Sequence, residues 1–329
     1  MNKTKLLSFG LIIFLGCSVT EIPEEVEGSN PIYVTFAGHV EDSKMYTDCA
    51  VYEQKRTQLL DFAEAMKEKG VAFNFQASYE WFVGVQNCET EDLMNRLAED
   101  YDFEIDVHQE GASEALDDVT SGNNMADIRY LAGELTDYVT ETSGFQWDNP
   151  KQYKNFQYGQ QGRLHDFEWH PELLVGGVSI DHTRGDFSRD MTSLGVWVPS
   201  NFTKKDFHTH DESEEGHMIY IGSGPNQFMN DWGEGDCHFT NSASFVSTLT
   251  DYVEEGKIYT YTVFVPQKII FDEPEKLMTL LDEFIELQEQ GYVEFAHFTE
   301  VAEIWEEDFN SEPNIFTYDQ ISPEDYTCE

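Results

Sequence analysis

Bases are what this 329-residue chain has least of: 19 lysines and arginines stand against 64 aspartates and glutamates, a formal charge of −45 at pH 7. So anionic a surface repels nucleic acid and does not favour anionic lipid or polyanions, which excludes a nucleic-acid partner and leaves a neutral or cationic ligand. The same carboxylates also keep a chain soluble in a salty medium, a role that needs no ligand. Cysteine is sparse as well. None of the five sits in a CxxC pair or at zinc-type spacing, so a cysteine metal cluster is not expected. Internal repeats and low-complexity tracts are missing too.

Long apolar runs are also missing. The run from Leu6 to Leu15 is too short to span a bilayer, and acidic residues soon follow it. With Lys3 and Lys5 ahead of it and Gly16–Cys17 behind, it reads as a secretory signal. The ending FLGC looks like a bacterial lipobox, which implies cleavage before Cys17 and lipidation of its thiol; a plain signal peptide is the alternative. Residues 1–17 are therefore expected to be a lipoprotein signal. Residues 18–30, SVTEIPEEVEGSN, are expected to form an acidic flexible tether. The mature protein is then exported and membrane-anchored, in the periplasm, at the outer membrane or at the cell surface. In an oxidising compartment Cys49, Cys88, Cys237 and Cys328 permit three pairings, and disulfides or free buried thiols are favoured there.

The rest is long enough for two domains or for one large α/β barrel. From Pro31 the patterns PIYVTFAGHVED, VAFNFQASYEWF and FEIDVHQEGA read as strands. Helices around YEQKRTQLLDFAEAMKEKG and TEDLMNRLAEDY separate them, which makes βαβ units of a parallel sheet. A further helix follows around NNMADIRYLAGELTDYV. Between residues 142 and 235 short apolar runs (ELLVGGVSI, LGVWVP, HMIYIGSG) alternate with Gly, Asn and Asp, as in strands carrying long loops. Regularity returns with a helix at SASFVSTLTDYVEEGK, a strand at IYTYTVFVPQ, a helix at EPEKLMTLLDEFIELQEQG, and a short strand and helix at YVEFAHFTEVAEIWEEDF. One domain over residues 31–309 and a C-terminal tail over 310–329 are expected.

Side chains alternate across a strand, so the sequence sorts faces. In the first strand Val34 and Phe36 suit the helix-facing side, which turns Thr35, Ala37, His39 and Glu41 toward the barrel. In the third, Phe103, Ile105 and Val107 oppose Asp106, His108 and Glu110. His39, Glu41, His108 and Glu110 are thereby aimed at the carboxyl end of one barrel, the end that carries active sites in this architecture. Imidazole with carboxylate suits a divalent metal, zinc among the candidates. Polar residues that only tie strand ends to loops are the alternative.

These residues resemble a family. PIYVTF, EIDVHQEGA and the late VFVPQ…LLDEFIELQEQGYVEFAHFTEVAEIW are similar to the polysaccharide deacetylase (NodB-homology) and glycoside hydrolase/deacetylase superfamily. VAFNFQASYEWF, ADIRYL, WHPELLVGG and GVWVP are similar to its exported members. The resemblance implies a distorted (β/α) barrel of about seven parallel strands with long decorated loops in mid-chain. It also implies a metal-dependent hydrolase of N- or O-acetylated sugars. The chain departs from the family pattern in three places. Ala37 and Gly38 stand where an aspartate pair is expected, Ala112 stands four residues after His108 in place of a second histidine, and the late strand VFVPQ carries no histidine.

On this reading His39, Glu41, His108 and Glu110 hold the metal, and Asp42, which follows them at the first strand's end, is the general base. Glu172 in WHPE is a second acid–base candidate at the rim, or a turn cap. Cys49 and Cys88 follow the first two barrel strands, which makes theirs the favoured disulfide. His208, His210, Asp211 and His217 form either a second metal-binding cluster or an acidic loop with surface histidines, while Trp81, Trp169, Trp197 and Trp232 are sugar platforms or core. The expected partner is a carbohydrate or other small ligand. Competing functions are a degenerate barrel that binds glycan at the surface, and a metal-free glycoside hydrolase using Glu110 and Glu172.

Overall fold

The computed structural model describes residues 30–40, 48–109, 124–145, 159–175, 193–201, 206–213, 218–224 and 242–325. Strand β1 (Ile32–Val40) leads to helix α1 (Cys49–Lys69) and β2 (Phe73–Ala77). Helices α2 (Tyr79–Cys88) and α3 (Leu93–Tyr101), strand β3 (Phe103–Gln109), α4 (Met125–Leu135) and β4 (Val139–Phe145) follow. The middle carries the short strands β5 (Gln160–Gln161), β6 (Glu168–Trp169), β7 (Leu173–Val175), β8 (Val196–Trp197) and β9 (Ile219–Ile221). The chain continues with α5 (Ser242–Leu249), β10 (Tyr259–Pro266), α6 (Gln267–Phe271), α7 (Pro274–Glu289), β11 (Val293–Phe295) and α8 (Phe298–Glu307).

Local chemistry sets these limits. Asp48 caps α1 by accepting from the Ala50 N–H at 2.9 Å, and Gly70 ends the helix at φ +67°, a conformation that costs glycine least. Leu59, Phe62, Ala63 and Met66 form the buried stripe of α1. The expected strand VAFNFQASYEWF is shorter than its apolar run: β2 stops at Ala77, and YEWF opens α2, where Trp81, Phe82 and Val85 meet the core at helical spacing.

The sheet runs β10-β1-β2-β3-β4-β7-β9, all parallel, and then antiparallel β8. β11 pairs with the entering half of β1, Ile32 to Val34, while β2 takes the leaving half of β1, Ala37 to Val40. The far edges meet: Thr260 N–H donates to the Leu194 carbonyl at 3.2 Å, Thr262 N–H to Ser223 at 3.1 Å, and the Thr260 hydroxyl to Gly222 at 2.6 Å. This closure makes the sheet a distorted (β/α) barrel. Residues 310–325, expected as part of a tail, lie against its wall. Leu194 N–H donates to the Phe316 carbonyl and Asn314 N–H to the Val196 carbonyl, and Tyr318 and Ile321 are fully buried.

Two cores divide at the sheet. Outside it Val34, Phe36, Phe75, Ile105, Val107, Leu174, Tyr261 and Val263 pack on the helices. Inside, Tyr33, Ala37, Val175, Val196, Ile221 and Phe264 pack with Phe298, Val301 and Trp305 of α8. Among the described residues no helix is long and apolar enough to cross a membrane.

Candidate functional site at the leaving end of the barrel

The inner face of the first three strands is polar. Register aligns Ala37 with Asn74 and Glu104 in one row, and His39 with Gln76 and Asp106 in the next. His108 is one alternate position further along β3, level with Gly144 of β4, which is in turn level with Val175 of β7. His39 and His108 are both buried, and their rings stack with centroids 4.3 Å apart and planes 29° apart. His39 also lies against Phe264, at 5.0 Å between centroids. The strand parity read from the sequence therefore brings two of the four expected metal donors together.

The stack does not suit one shared ion. Imidazole lone pairs lie in the ring plane, so an ion held by both rings must sit in both planes. Planes so nearly parallel meet well beyond the ~2 Å reach of a zinc–nitrogen bond. Among the described residues no group of three or more His, Cys, Asp or Glu side chains is arranged to hold a metal. Glu41, Asp42 and Glu110 lie outside the described residues, as do Cys17, residues 18–29, Ala112, His217, Trp232, Cys237 and Cys328.

Below the histidines are two buried carboxyls. Glu104 receives the N-terminus of α8: Phe298 N–H donates to Oε2 at 3.1 Å, Thr299 N–H to Oε1 at 3.0 Å, and the Thr299 hydroxyl adds a third bond. His297, at the N-cap, stands 3.9 Å from Glu104 Oε2 and 3.7 Å from Asp102. Burial pushes the Glu104 carboxyl up, while His297, the Thr299 hydroxyl and the two backbone N–H groups pull it down. Asp106 accepts from the Thr140 hydroxyl. Burial first, and then the charge of Glu104, hold Asp106 well above the usual carboxylate range, against the pull of Thr140 and Gln76.

Gly38 explains one departure from the family pattern. A Cβ there would come within 2.5 Å of Phe73 Cζ and 2.9 Å of Ile270 Cδ1, so an aspartate has no room. Ala37 faces inward, but in the row of Glu104, where another carboxylate would meet the same charge.

Other expectations change. Glu172 is exposed at the entering end of β7, where its N–H donates to the Glu141 carbonyl and its carbonyl accepts from Ile219 N–H. It lies three residues before Val175, which is level with His108 through Gly144, so Glu172 stands apart from the histidine row. Trp81 and Trp197 are fully buried, and Trp169 is 7% exposed with its indole N–H on Glu141; these three are core rather than platforms. His208 lies ring to ring with Trp197, and His210 Nδ1 accepts from Val198 N–H at 3.2 Å, so both serve local packing. Cys49 and Cys88 are joined in a disulfide, as expected, between the start of α1 and the end of α2. Sequence reading missed β4 and the polar side of β2. Asn74, Gln76 and Ser78 alternate as His39 and His108 do, a signal hidden by the aromatics around them.

The fold of this closed, mostly parallel barrel is shared with solved structures of an allantoinase and of a probable polysaccharide deacetylase. Among solved structures the chain is similar to Puue allantoinase, with a TM-score of 0.54 and 11% identity over 84% of this chain and 90% of that one. It is also similar to a probable polysaccharide deacetylase from Pseudomonas aeruginosa PAO1, with a TM-score of 0.53 and 12% identity over 84% and 91%. A 4-alpha-glucanotransferase from Thermococcus litoralis matches with a TM-score of 0.49 and 12% identity over 87% of this chain, which spans 39% of that protein's length. No family model and no curated protein matches the chain. At these identities the likeness is one of fold.

Proposed function

We propose that the chain is a carbohydrate-directed hydrolase of the deacetylase type, exported and held at the cell envelope through a lipid on Cys17. The observation that carries this reading is the meeting of His39 and His108 at the leaving end of the barrel. Imidazole is the side chain that most often takes a proton from attacking water near neutral pH. The buried pair is the described group best suited to that task, with Asp42 as the sequence's candidate for a second base. Because the stacked rings do not share an ion, no step is assigned to a metal. A divalent ion, zinc first, enters the proposal only as one held by a single imidazole together with Glu41 and Glu110.

The second reading, a glycan-binding barrel without turnover, is favoured by Ala37, the crowded Gly38 and Ala112 at the positions where the family pattern has other residues. Acetate release from acetylated oligosaccharides, measured with and without added zinc in wild type, His39→Ala and His108→Ala, separates the two. Turnover lost in both variants supports the hydrolase. No turnover in wild type, with glycan affinity that survives His108→Ala, overturns it in favour of binding.

A further inference from the structure

The wall of the barrel has a break at its entering end. One edge of β1 is paired by β11 from Ile32 to Val34 and by β2 only from Ala37 onward. Phe295, which ends β11, and Val71, which leads into β2, line a cleft of about 250 Å³ there. That is smaller than the roughly 300–1,000 Å³ sites that hold drug-sized ligands, so its occupant is small. The ring of Tyr101, at the end of α3, forms a further apolar wall.

The rim of the cleft carries both signs of charge. Lys67, in the last turn of α1, is one of 19 bases among 64 acids. Its printed neighbours are uncharged: Nζ donates to the Asp100 carbonyl at 2.7 Å and stands 5.7 Å from the centre of the Tyr101 ring. Asp102, two residues on, holds φ +58° with its side chain 92% exposed, and His297 Nε2 stands 3.7 Å from it, beyond a hydrogen bond. Glu300, in the first turn of α8, accepts from the His297 N–H at 2.8 Å. Among the described residues neither carboxylate forms an ion pair with Lys67. A simple anion brought to Lys67 would meet Asp102 and Glu300, with Glu104 buried behind His297, and a simple amine would meet Lys67. A ligand that carries both charges meets neither repulsion.

We propose that this cleft binds an apolar α-amino acid as its zwitterion, with the carboxylate on Lys67, the ammonium on Asp102 and Glu300, and the side chain between Val71, Tyr101 and Phe295. Charge-assisted hydrogen bonds at both ends select the zwitterion, and its net charge of zero suits so anionic a surface. The entering end of such a barrel ordinarily serves stability. The site is therefore separate from the histidine pair at the leaving end, and it stands or falls independently of the hydrolase reading.

The test uses titration calorimetry and saturation-transfer NMR on the full chain and on Lys67→Met and Asp102→Asn. Leucine is the probe, beside isocaproate, which lacks the ammonium, and isoamylamine, which lacks the carboxylate. Wild type is expected to bind leucine, and to bind each analogue about tenfold more weakly. Leucine should bind each variant about tenfold more weakly than wild type. The analogues should cross over: Lys67→Met binds isoamylamine, and Asp102→Asn binds isocaproate, more tightly than wild type does, because a repulsion has gone. Both replaced side chains are exposed, methionine suits a helix, and asparagine tolerates the left-handed backbone of Asp102. Both variants should then melt within about 2 °C of wild type. A wild type that does not bind leucine overturns the site, as does leucine affinity undiminished in either variant. Isoamylamine bound as tightly as leucine also overturns it, because an acidic surface alone then suffices. If a variant melts lower than expected, the analogue series on wild type decides by the same criteria.

Discussion

Breaking the Cys49–Cys88 bridge tests how far the leaving end of the barrel depends on a covalent tie. The bridge closes a loop with a sequence separation of 39, and the Cα atoms lie 5.2 Å apart, within the ordinary disulfide range. Loop-closure entropy for that length is about 13 cal/mol/K, or about 4 kcal/mol at 25 °C. A barrel of about 280 residues unfolds with an entropy of about 0.6 kcal/mol/K, so removing the bridge should lower the melting temperature by about 7 °C. Cys49 is exposed, so alanine there opens no cavity, whereas Cys88 is 7% exposed and packs in the core, so alanine there adds a packing loss to the entropic one. The assay is scanning calorimetry on oxidised protein, reduced protein and the Cys49→Ala/Cys88→Ala double variant. The last two should both melt below the first, the double variant lowest because it also loses the buried Cys88 sulfur. Oxidised and double-variant protein melting within about 2 °C of each other, or free thiols found at Cys49 and Cys88 in oxidised protein, would refute the reasoning.

Three further outcomes are expected. Asp106→Asn should stabilise the protein by about 1–3 kcal/mol near neutral pH. The raised carboxyl holds a proton in the folded state that the unfolded chain has released, so wild type loses stability as pH rises through that window and regains it below the ordinary carboxylate range. The gap between variant and wild type in urea titrations should therefore close toward acid pH; a gap constant with pH would show that Asp106 is not held neutral. Gly38→Ala should cost about 1–3 kcal/mol, because its Cβ strikes Phe73 and Ile270, and an unchanged urea midpoint would count against that packing. With a formal charge of −45, raising NaCl from about 0.05 to about 1 M shortens the screening length to about 3 Å and should raise the melting temperature. A flat salt response would mean that surface repulsion is already compensated.

Much of the barrel was legible because its signals are local. Alternation in FEIDVHQ and VTFAGHV sorts the inner and outer faces of β3 and β1 without any tertiary information, and the stripe Leu277, Leu280, Leu281, Phe284 and Leu287 marks the buried face of α7. The end of β2 was not legible. Tyr79, Trp81 and Phe82 suit a strand as well as a helix, and only packing against Tyr52, Phe75 and Phe271 chooses α2.

For the site, sequence alone determined that His39 and His108 share the inner face, since parity is a property of the extended backbone. It also supplied the charge that turns anions away, and the cysteines available for a bridge. Tertiary structure decided the rest, because register and closure are long-range. It set the two imidazoles ring against ring, placed Gln76 between His39 and Asp106, filled the space beside Gly38 with Phe73, and left Glu172 at the entering end of β7. Each of these depends on which strands become neighbours and at what stagger, and no local pattern in the chain encodes that.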